Sequence, residues 1–195
     1  PELSRGLGDV YKRQVYNDWK YVYNGWNLAA ELDAKSGDAL KRSFFWGLDV
    51  SGSHQGAGGV GGLLMIRKHG SGASDQLVCY DGNGNITALV NAATQAISAE
   101  YTYDPFGRKA RAYGSFVGDN PFGFSTKYED IESGHLYYGY RYYDVEHGRW
   151  LSRDPIEERG GLNLYGFVGN DGVNQWDYLG CLLYTSPSPR DNSGS

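Results

Sequence analysis

Hydrophobic and polar positions alternate with a period near two over much of the chain, in short runs broken by glycine, asparagine and aspartate. Side chains on a strand point to opposite faces in turn, so such runs read as strands. Trp19 to Tyr23 and Trp26 to Leu32 flank Asn24-Gly25, the strongest short hairpin signal, and a second turn falls at Ser36-Gly37-Asp38. Leu40 to Leu48 follows as a third strand. Further on, Leu77 to Tyr80, Ile86 to Asn91 and Ala96 to Tyr103 are separated by the turn Asp81-Gly82-Asn83-Gly84-Asn85 and by Ala92 to Gln95. Spacing of this kind predicts an antiparallel meander, in which each strand neighbours the next in sequence.

Residues 134 to 155, GHLYYGYRYYDVEHGRWLSRDP, form the densest aromatic stretch. Read as one extended strand, 136 to 143 places Leu136, Tyr138, Tyr140 and Tyr142 on one face and Tyr137, Gly139, Arg141 and Tyr143 on the other. That strand is expected to pair with one near 124 to 130 across a turn at Glu132-Ser133-Gly134. On its other side, Asp144 caps a turn in which Gly148 takes positive φ, and residues 149 to 152 return. Phe116 to Lys127 reads as a connection, because Pro121 and Gly123 block regular structure. Beyond Pro155, IEERGG is a polar loop, and LNLYGFV suits either a helical turn or a short strand.

Composition sharpens the picture. Twenty-nine glycines and seventeen tyrosines against one methionine and six prolines describe many short strands and tight turns, hence an all-β fold. A net charge of -5 over 195 residues argues against a nucleic-acid surface. No apolar run approaches the ~20 residues that a membrane-spanning helix needs. Cys79 and Cys181 are too few for a disulfide framework and have no metal spacing with the four histidines, so neither metal nor cofactor is expected.

Three constellations invite chemistry and have sufficient structural explanations. Gly56, Gly58 and Gly61 spell GxGxxG, but the segment that follows is short and ends in another turn, so no βαβ unit forms around it. It reads as a loop in which backbones approach closely or φ is positive. Asp81 and Asp104 resemble a carboxylate pair, yet each has a local task as a turn cap. Asp104-Pro105-Phe106-Gly107 has the residue order of a type I turn. The tyrosines suit cross-strand packing, or an aromatic surface that stacks on sugars or on an unfolded chain.

Residues 134 to 180 resemble the RHS repeat-associated core domain, which closes the YD-repeat shells of bacterial Rhs and Tc-toxin C proteins. The resemblance rests on YYGYRYYD, GRWLSRDP, GLNLYGFVGND and WDYLG in that order. Upstream, Tyr80-Asp81-Gly82 and Tyr103-Asp104-Pro105-Phe106-Gly107-Arg108 resemble YD repeats. Residues 1–14 and 181–195 lack this grammar and resemble translated sequencing-adapter sequence, so both are expected to be non-native or disordered tails. The organisation expected is then repeat strands over 15–115 and the core domain over 116–180.

The resemblance implies part of an open spiral β-shell with an aromatic-rich plug, enclosing a polymorphic toxin that is released from the core by self-cleavage just beyond it. Its partners would be the rest of the shell and the enclosed toxin domain, and its location secreted or at the cell surface. In that family an aspartic-protease-like carboxylate pair is implicated. Carried over, Arg153 and Asp154 of SRDP match one half and Asp177 of WDYLG the other. Tyr178 departs from the family's usual proline, which frees φ and adds a backbone donor. The alternative is a cell-surface YD-repeat protein that binds carbohydrate or a neighbouring cell and carries no toxin. A hydrolase with turnover ranks last, for want of a Ser/His/Asp or metal set.

Overall fold

The structure is a computed structural model and describes residues 18–157, 162–172, 175–181 and 183–185. Its largest element is an eight-stranded antiparallel sheet whose strands lie in sequence order. They are β1 (Trp19–Asn24), β2 (Asn27–Asp33), β3 (Ala39–Trp46), β4 (Leu63–Lys68), β5 (Ser74–Tyr80), β6 (Ile86–Asn91), β7 (Ile97–Tyr103) and β8 (Lys109–Tyr113). The all-β meander predicted from the alternation is therefore present. Helical structure among the described residues is limited to isolated 3-10 turns.

The turns form for the reasons their residues supply. The first turn lies one residue beyond the expected Asn24-Gly25: Asn24 pairs with Asn27, so Gly25 and Trp26 make it, and Gly25 takes φ +59 at the position a II′ hairpin reserves for glycine. In the YD turns the aspartate side chain substitutes for a backbone acceptor. Asp81 Oδ1 takes the N–H of Asn83 and of Asn85, each at 2.9 Å, and Asp104 Oδ1 takes those of Phe106 and Arg108 at 2.9 and 3.0 Å. Gly107 N–H closes the type I turn on the Asp104 carbonyl at 3.0 Å.

Strict alternation is interrupted by bulges. On β6 the register passes from Ile86, opposite Tyr80, to Ala88, opposite Cys79, leaving Thr87 as the extra residue. Ile86 and Leu89 are three apart yet both are fully buried, because the bulge resets the phase between them. A bulge on β2 does the same for Leu28 and Glu31. Most of the hairpins carry such a shift, and each adds twist to the sheet.

The 116–127 segment does more than connect. Phe116 and Phe122 enter the sheet's core beside Phe44, Leu63, Ile66, Ile86 and Leu89. Phe122 meets Phe44 and Trp46 edge-on at 5.1 and 5.6 Å, and Asn120 fixes its backbone through 2.7 and 3.0 Å hydrogen bonds. Aromatic pairs of this geometry add about 0.5–1.5 kcal/mol each beyond their buried area. The segment thus covers one face of the sheet with side chains while its backbone stays irregular.

A second core is built around a four-stranded sheet of β9 (Tyr128–Glu129), β10 (Leu136–Tyr137), β11 (Tyr142–Asp144) and β12 (Arg149–Trp150). Here the expected single strand over 136–143 is corrected. β10 pairs with β11, Leu136 opposite Tyr143 and Tyr137 opposite Tyr142, so the run is itself a hairpin. Its turn is at Gly139, φ +109, closed by Tyr138 N–H on the Arg141 carbonyl at 3.0 Å. Aromatic residues on both sides made the run look continuous, but the glycine lets it reverse. The face pattern changes with it: Tyr138, Arg141 and Tyr143 are all buried, whereas Tyr140 and Tyr142 are exposed. Tyr138, Tyr143 and Trp150 pack with Phe167, Leu136 and Phe124 as one cluster. The Asp144 turn forms as expected, its Oδ1 accepting from Glu146 and His147 N–H and Gly148 at φ +62.

In the 162–168 stretch, Gly166 bridges Arg149 and a 3-10 turn follows at Val168–Asn170. Finally, β13 (Gln175–Asp177) pairs with β14 (Leu183–Thr185), Asp177 opposite Leu183. Part of the stretch expected to be an unpacked tail is thus paired, because the free edge of a short strand accepts any extended segment within reach. Residues 1–14, the other expected tail, and Glu158 to Gly161 of the polar loop lie outside the described residues.

Candidate functional site

The reversal at Gly139 places Arg141 at the centre of the second core. Its side chain is 3% exposed and lies under the Trp150 ring, 4.2 Å from the ring centre. The guanidinium reaches three elements. Nε donates to the Gly180 carbonyl, Nη1 to the Leu164 carbonyl at 3.3 Å, and Nη2 lies 3.0 Å from Asp154 Oδ2 and 3.4 Å from Asp177 Oδ2. Two carboxylates distant in sequence therefore share one guanidinium nitrogen, and their facing oxygens are no farther apart than those two distances allow together.

Asp154 is set by the chain that follows β12. Its N–H donates to the Leu164 carbonyl at 3.0 Å, and its Oδ1 accepts Ile156 N–H at 2.9 Å, which starts the turn at Pro155. Asp177 ends β13 and caps the next turn. Its Oδ1 accepts the N–H groups of Leu179, Gly180 and Cys181 at 3.2, 2.7 and 2.9 Å. Gly180, at φ +77, closes this turn against Arg141 and Trp150, where a Cβ would stand 3.3 Å from both side chains.

Burial governs the charges of this site. Burial pushes the Asp177 carboxyl above the usual carboxylate range, against the opposing pull of its backbone donors and of Arg141. Burial also lowers the Arg141 guanidinium, which Asp154 and Asp177 counteract. The Cys181 thiol is raised, by burial first and then by the two carboxylates. A cavity of about 340 Å³ opens beside this set, lined by Arg141, Trp150, Asp154, Asn163, Asp177 and Cys181.

Asp154 and Asp177 are thus brought together, and Arg153 is not. Arg153 is exposed and forms no ion pair among the described residues. The arginine between the carboxylates is Arg141, which the sequence reading assigned to a strand face. One signal pointed to it: a lone cation inside YYGYRYYD, a run dominated by tyrosine. The chain has no group of three or more His, Cys, Asp or Glu side chains placed to hold a metal among the described residues.

The glycine-rich loop is also accounted for. Asp49 Oδ2 accepts Ala57 and Gly59 N–H at 2.7 and 3.2 Å, and Gly58, Gly59 and Gly61 all have positive φ. At Gly58 a Cβ would lie 2.6 Å from Leu179 Cδ2 and 2.8 Å from the Tyr178 carbonyl. The loop needs glycine because it is pressed against the turn that follows Asp177.

No family model matches the chain. Among known proteins it is 35% identical over 106 residues to toxin subunit YenC1 of Yersinia entomophaga, covering 52% of this chain and 11% of that protein. It is 42% identical over 161 residues to the probable deoxyribonuclease RhsA of Dickeya dadantii, covering 80% of this chain and 10% of that protein. The fold is similar to the crystal structure of TcdB2-TccC3, with a TM-score of 0.64 and 22% identity over 87% of this chain and 8% of that one. The chain therefore spans about a tenth of the length of these relatives.

Proposed function

We propose, from the premise that the chain belongs to the Rhs and Tc-toxin family, that it is the C-terminal part of an exported shell enclosing a toxin domain, and that it cleaves its own backbone just past Gly180. The observation that carries the second half is Arg141 Nη2 lying between Asp154 and Asp177 beside the outgoing chain. Two carboxylates held on one cation, one of them raised by burial, suit paired acid and base work.

Asp177, the more buried and the one raised by burial, retains the proton. Asp154, on the cavity and with the shorter contact to Arg141, is the carboxylate that activates water. Water adds its oxygen to the scissile carbonyl and gives its proton to Asp154. The departing amine takes its proton from Asp177, and the C–N bond breaks. The Asp177 cap on three successive N–H groups holds the outgoing segment in one conformation, which reduces the entropy lost on reaching the reactive geometry. The site acts on its own chain, so no turnover enzyme follows.

The eight-stranded sheet supports the shell half of the reading, because a meander with open ends is extended by further hairpins on either side. The test is the full chain with a folded reporter domain appended to its C-terminus. The expected result is two fragments that stay associated, with Asp154→Asn and Asp177→Asn each folded and uncleaved. If the unsubstituted chain stays intact at acid and neutral pH, or if both variants fold and still cleave, the acid-pair reading fails.

A further inference from the structure

The turn that carries Asp177 is held from a second side by a lysine outside the acid pair. Lys127 follows the 3-10 turn Phe124–Thr126 and is 4% exposed. Its Nζ donates to the Gly58 carbonyl at 3.1 Å and to the carbonyl of Tyr178, the residue after Asp177. The ammonium also lies 5.1 Å from the centre of the Tyr138 ring. The charged groups that face it are Asp177 and Asp49, which raise its pKa, and burial outweighs them to bring the amine down to about 7.

This approach is enforced by the backbone on both sides. Ser125 and Thr126 have φ +51 and +52, a region that residues with a Cβ seldom adopt. Three hydrogen bonds hold them there: Ser125 N–H to Asn85 Oδ1 at 2.8 Å, Thr126 Oγ1 to the Gly84 carbonyl at 2.7 Å, and Gly61 N–H to Thr126 Oγ1 at 2.8 Å. Strained backbone persists where its surroundings over-determine it. Opposite, the absence of a side chain at Gly58 lets that loop come close enough for its carbonyl and that of Tyr178 to share one Nζ. A buried cation is expensive to hold in place, and here a strained segment and a glycine contact both serve to put it against the Asp177 turn.

We propose that Lys127 is a positioning residue for the acid pair: bridging the Gly58 and Tyr178 carbonyls, it locks the turn that bears Asp177 to the glycine-rich loop and sets a cation beside that turn. The functional consequence rests on the self-cleavage reading. The coupling between Lys127 and Asp177 does not, and the two are measured separately.

For the coupling, the Asp177 carboxyl is titrated by carbon NMR in the Asp154→Asn chain, with and without Lys127→Met. Removing a nearby positive charge favours the protonated acid, so the Asp177 titration moves up by about one pH unit. Linkage makes the effect reciprocal, so in a chain that keeps Lys127 the Asp177→Asn change lowers the lysine's own titration. That second measurement stands if Lys127→Met fails to fold. Unmoved titrations in both directions overturn the proposal whether or not the chain cleaves.

For the function, cleavage of the reporter-bearing chain is followed against pH. Lys127→Met slows it by about tenfold or more through loss of placement. It also carries the alkaline limb, where Asp177 loses its proton, to higher pH. Lys127→Arg, which keeps a cation and its donors, recovers part of the rate. A Lys127→Met chain that folds and cleaves within about twofold of the unsubstituted rate, with its limb in place, refutes the positioning role. An unsubstituted chain that never cleaves refutes self-cleavage and leaves the titrations to decide on Lys127.

Discussion

Replacing Arg141 by methionine removes a buried cation that contacts both carboxylates and the Gly180 and Leu164 carbonyls. Methionine roughly fills the space of the aliphatic stem, so the loss is chiefly one of charge and donors. Breaking a buried ion pair from one side costs about 3–5 kcal/mol, because the partner charge stays behind uncompensated. Part of that cost is relieved when the stranded carboxyl takes up a proton, and this gives the change a pH signature. The folded Asp177 already titrates above its ordinary value through burial, and loss of the guanidinium raises it further. A raised carboxyl contributes its stability below the unfolded pKa and loses it as pH rises through the folded one. The destabilisation by Arg141→Met is therefore smallest in acid and grows toward neutral pH. Urea unfolding followed by tryptophan fluorescence measures it, since Trp150 stacks on the guanidinium. A loss below about 1 kcal/mol at neutral pH, or one of equal size in acid, would show that Arg141 does not compensate the two acids.

Gly58→Val puts a Cβ into the Tyr178 carbonyl at a left-handed position, and should cost about 1–3 kcal/mol by urea unfolding while also slowing any self-cleavage. Gly107→Val and Gly148→Val should each cost about 1 kcal/mol or more. Gly107 should be the worse, because its Cβ would stand 2.6 Å from the Phe124 ring against 3.3 Å from Phe106 at Gly148; equal costs would mean that the rings move aside freely. Phe122→Ala should cost about 3–5 kcal/mol, the value for a buried aromatic, whereas a mere connector residue would cost under about 0.5 kcal/mol.

The fold was legible wherever turn chemistry was local. Asp81, Asp104 and Asp144 each cap a turn with their own side chain, and the residues that donate their N–H groups to it lie within four positions in sequence. In the eight-stranded sheet the hairpins β5–β6 and β7–β8 follow from such turns. Packing of the 116–127 segment was not legible, because proline and glycine report only that the backbone is irregular. Nothing in them says that Phe116 and Phe122 pack in one core with residues 17 to 94 positions away in sequence, Ala99 being the nearest and Leu28 the farthest of Leu28, Phe44 and Ala99. Bulges were hidden for a related reason: a bulged strand and a strand of broken alternation look alike until its partner is known.

At the site, the resemblance supplied Asp154 and Asp177 and missed the arginine, and the cause lies in a single glycine. With 136–143 taken as extended, Arg141 shares a face with Tyr137 and lies opposite Tyr138, so it cannot enter the core that holds Tyr138. With the chain reversed at Gly139, Tyr138 and Arg141 both turn inward, and the guanidinium comes to rest between Trp150 and the acids. Arg153, next to Asp154 in sequence, points to solvent instead. The same reversal brings Tyr140 N–H onto the Leu179 carbonyl at 3.1 Å, so the hairpin that delivers Arg141 also grips the turn after Asp177. The cation, the outgoing turn and the glycine-rich loop are thus fixed by one set of contacts. Any substitution that keeps residues 136–143 extended should disperse all three at once, which makes Gly139→Val a sharper probe of the site than loss of either carboxylate. It should abolish the near-ultraviolet signal of the aromatic core and expose the Cys181 thiol to alkylation. Retention of both would mean that the hairpin does not depend on the left-handed turn at Gly139.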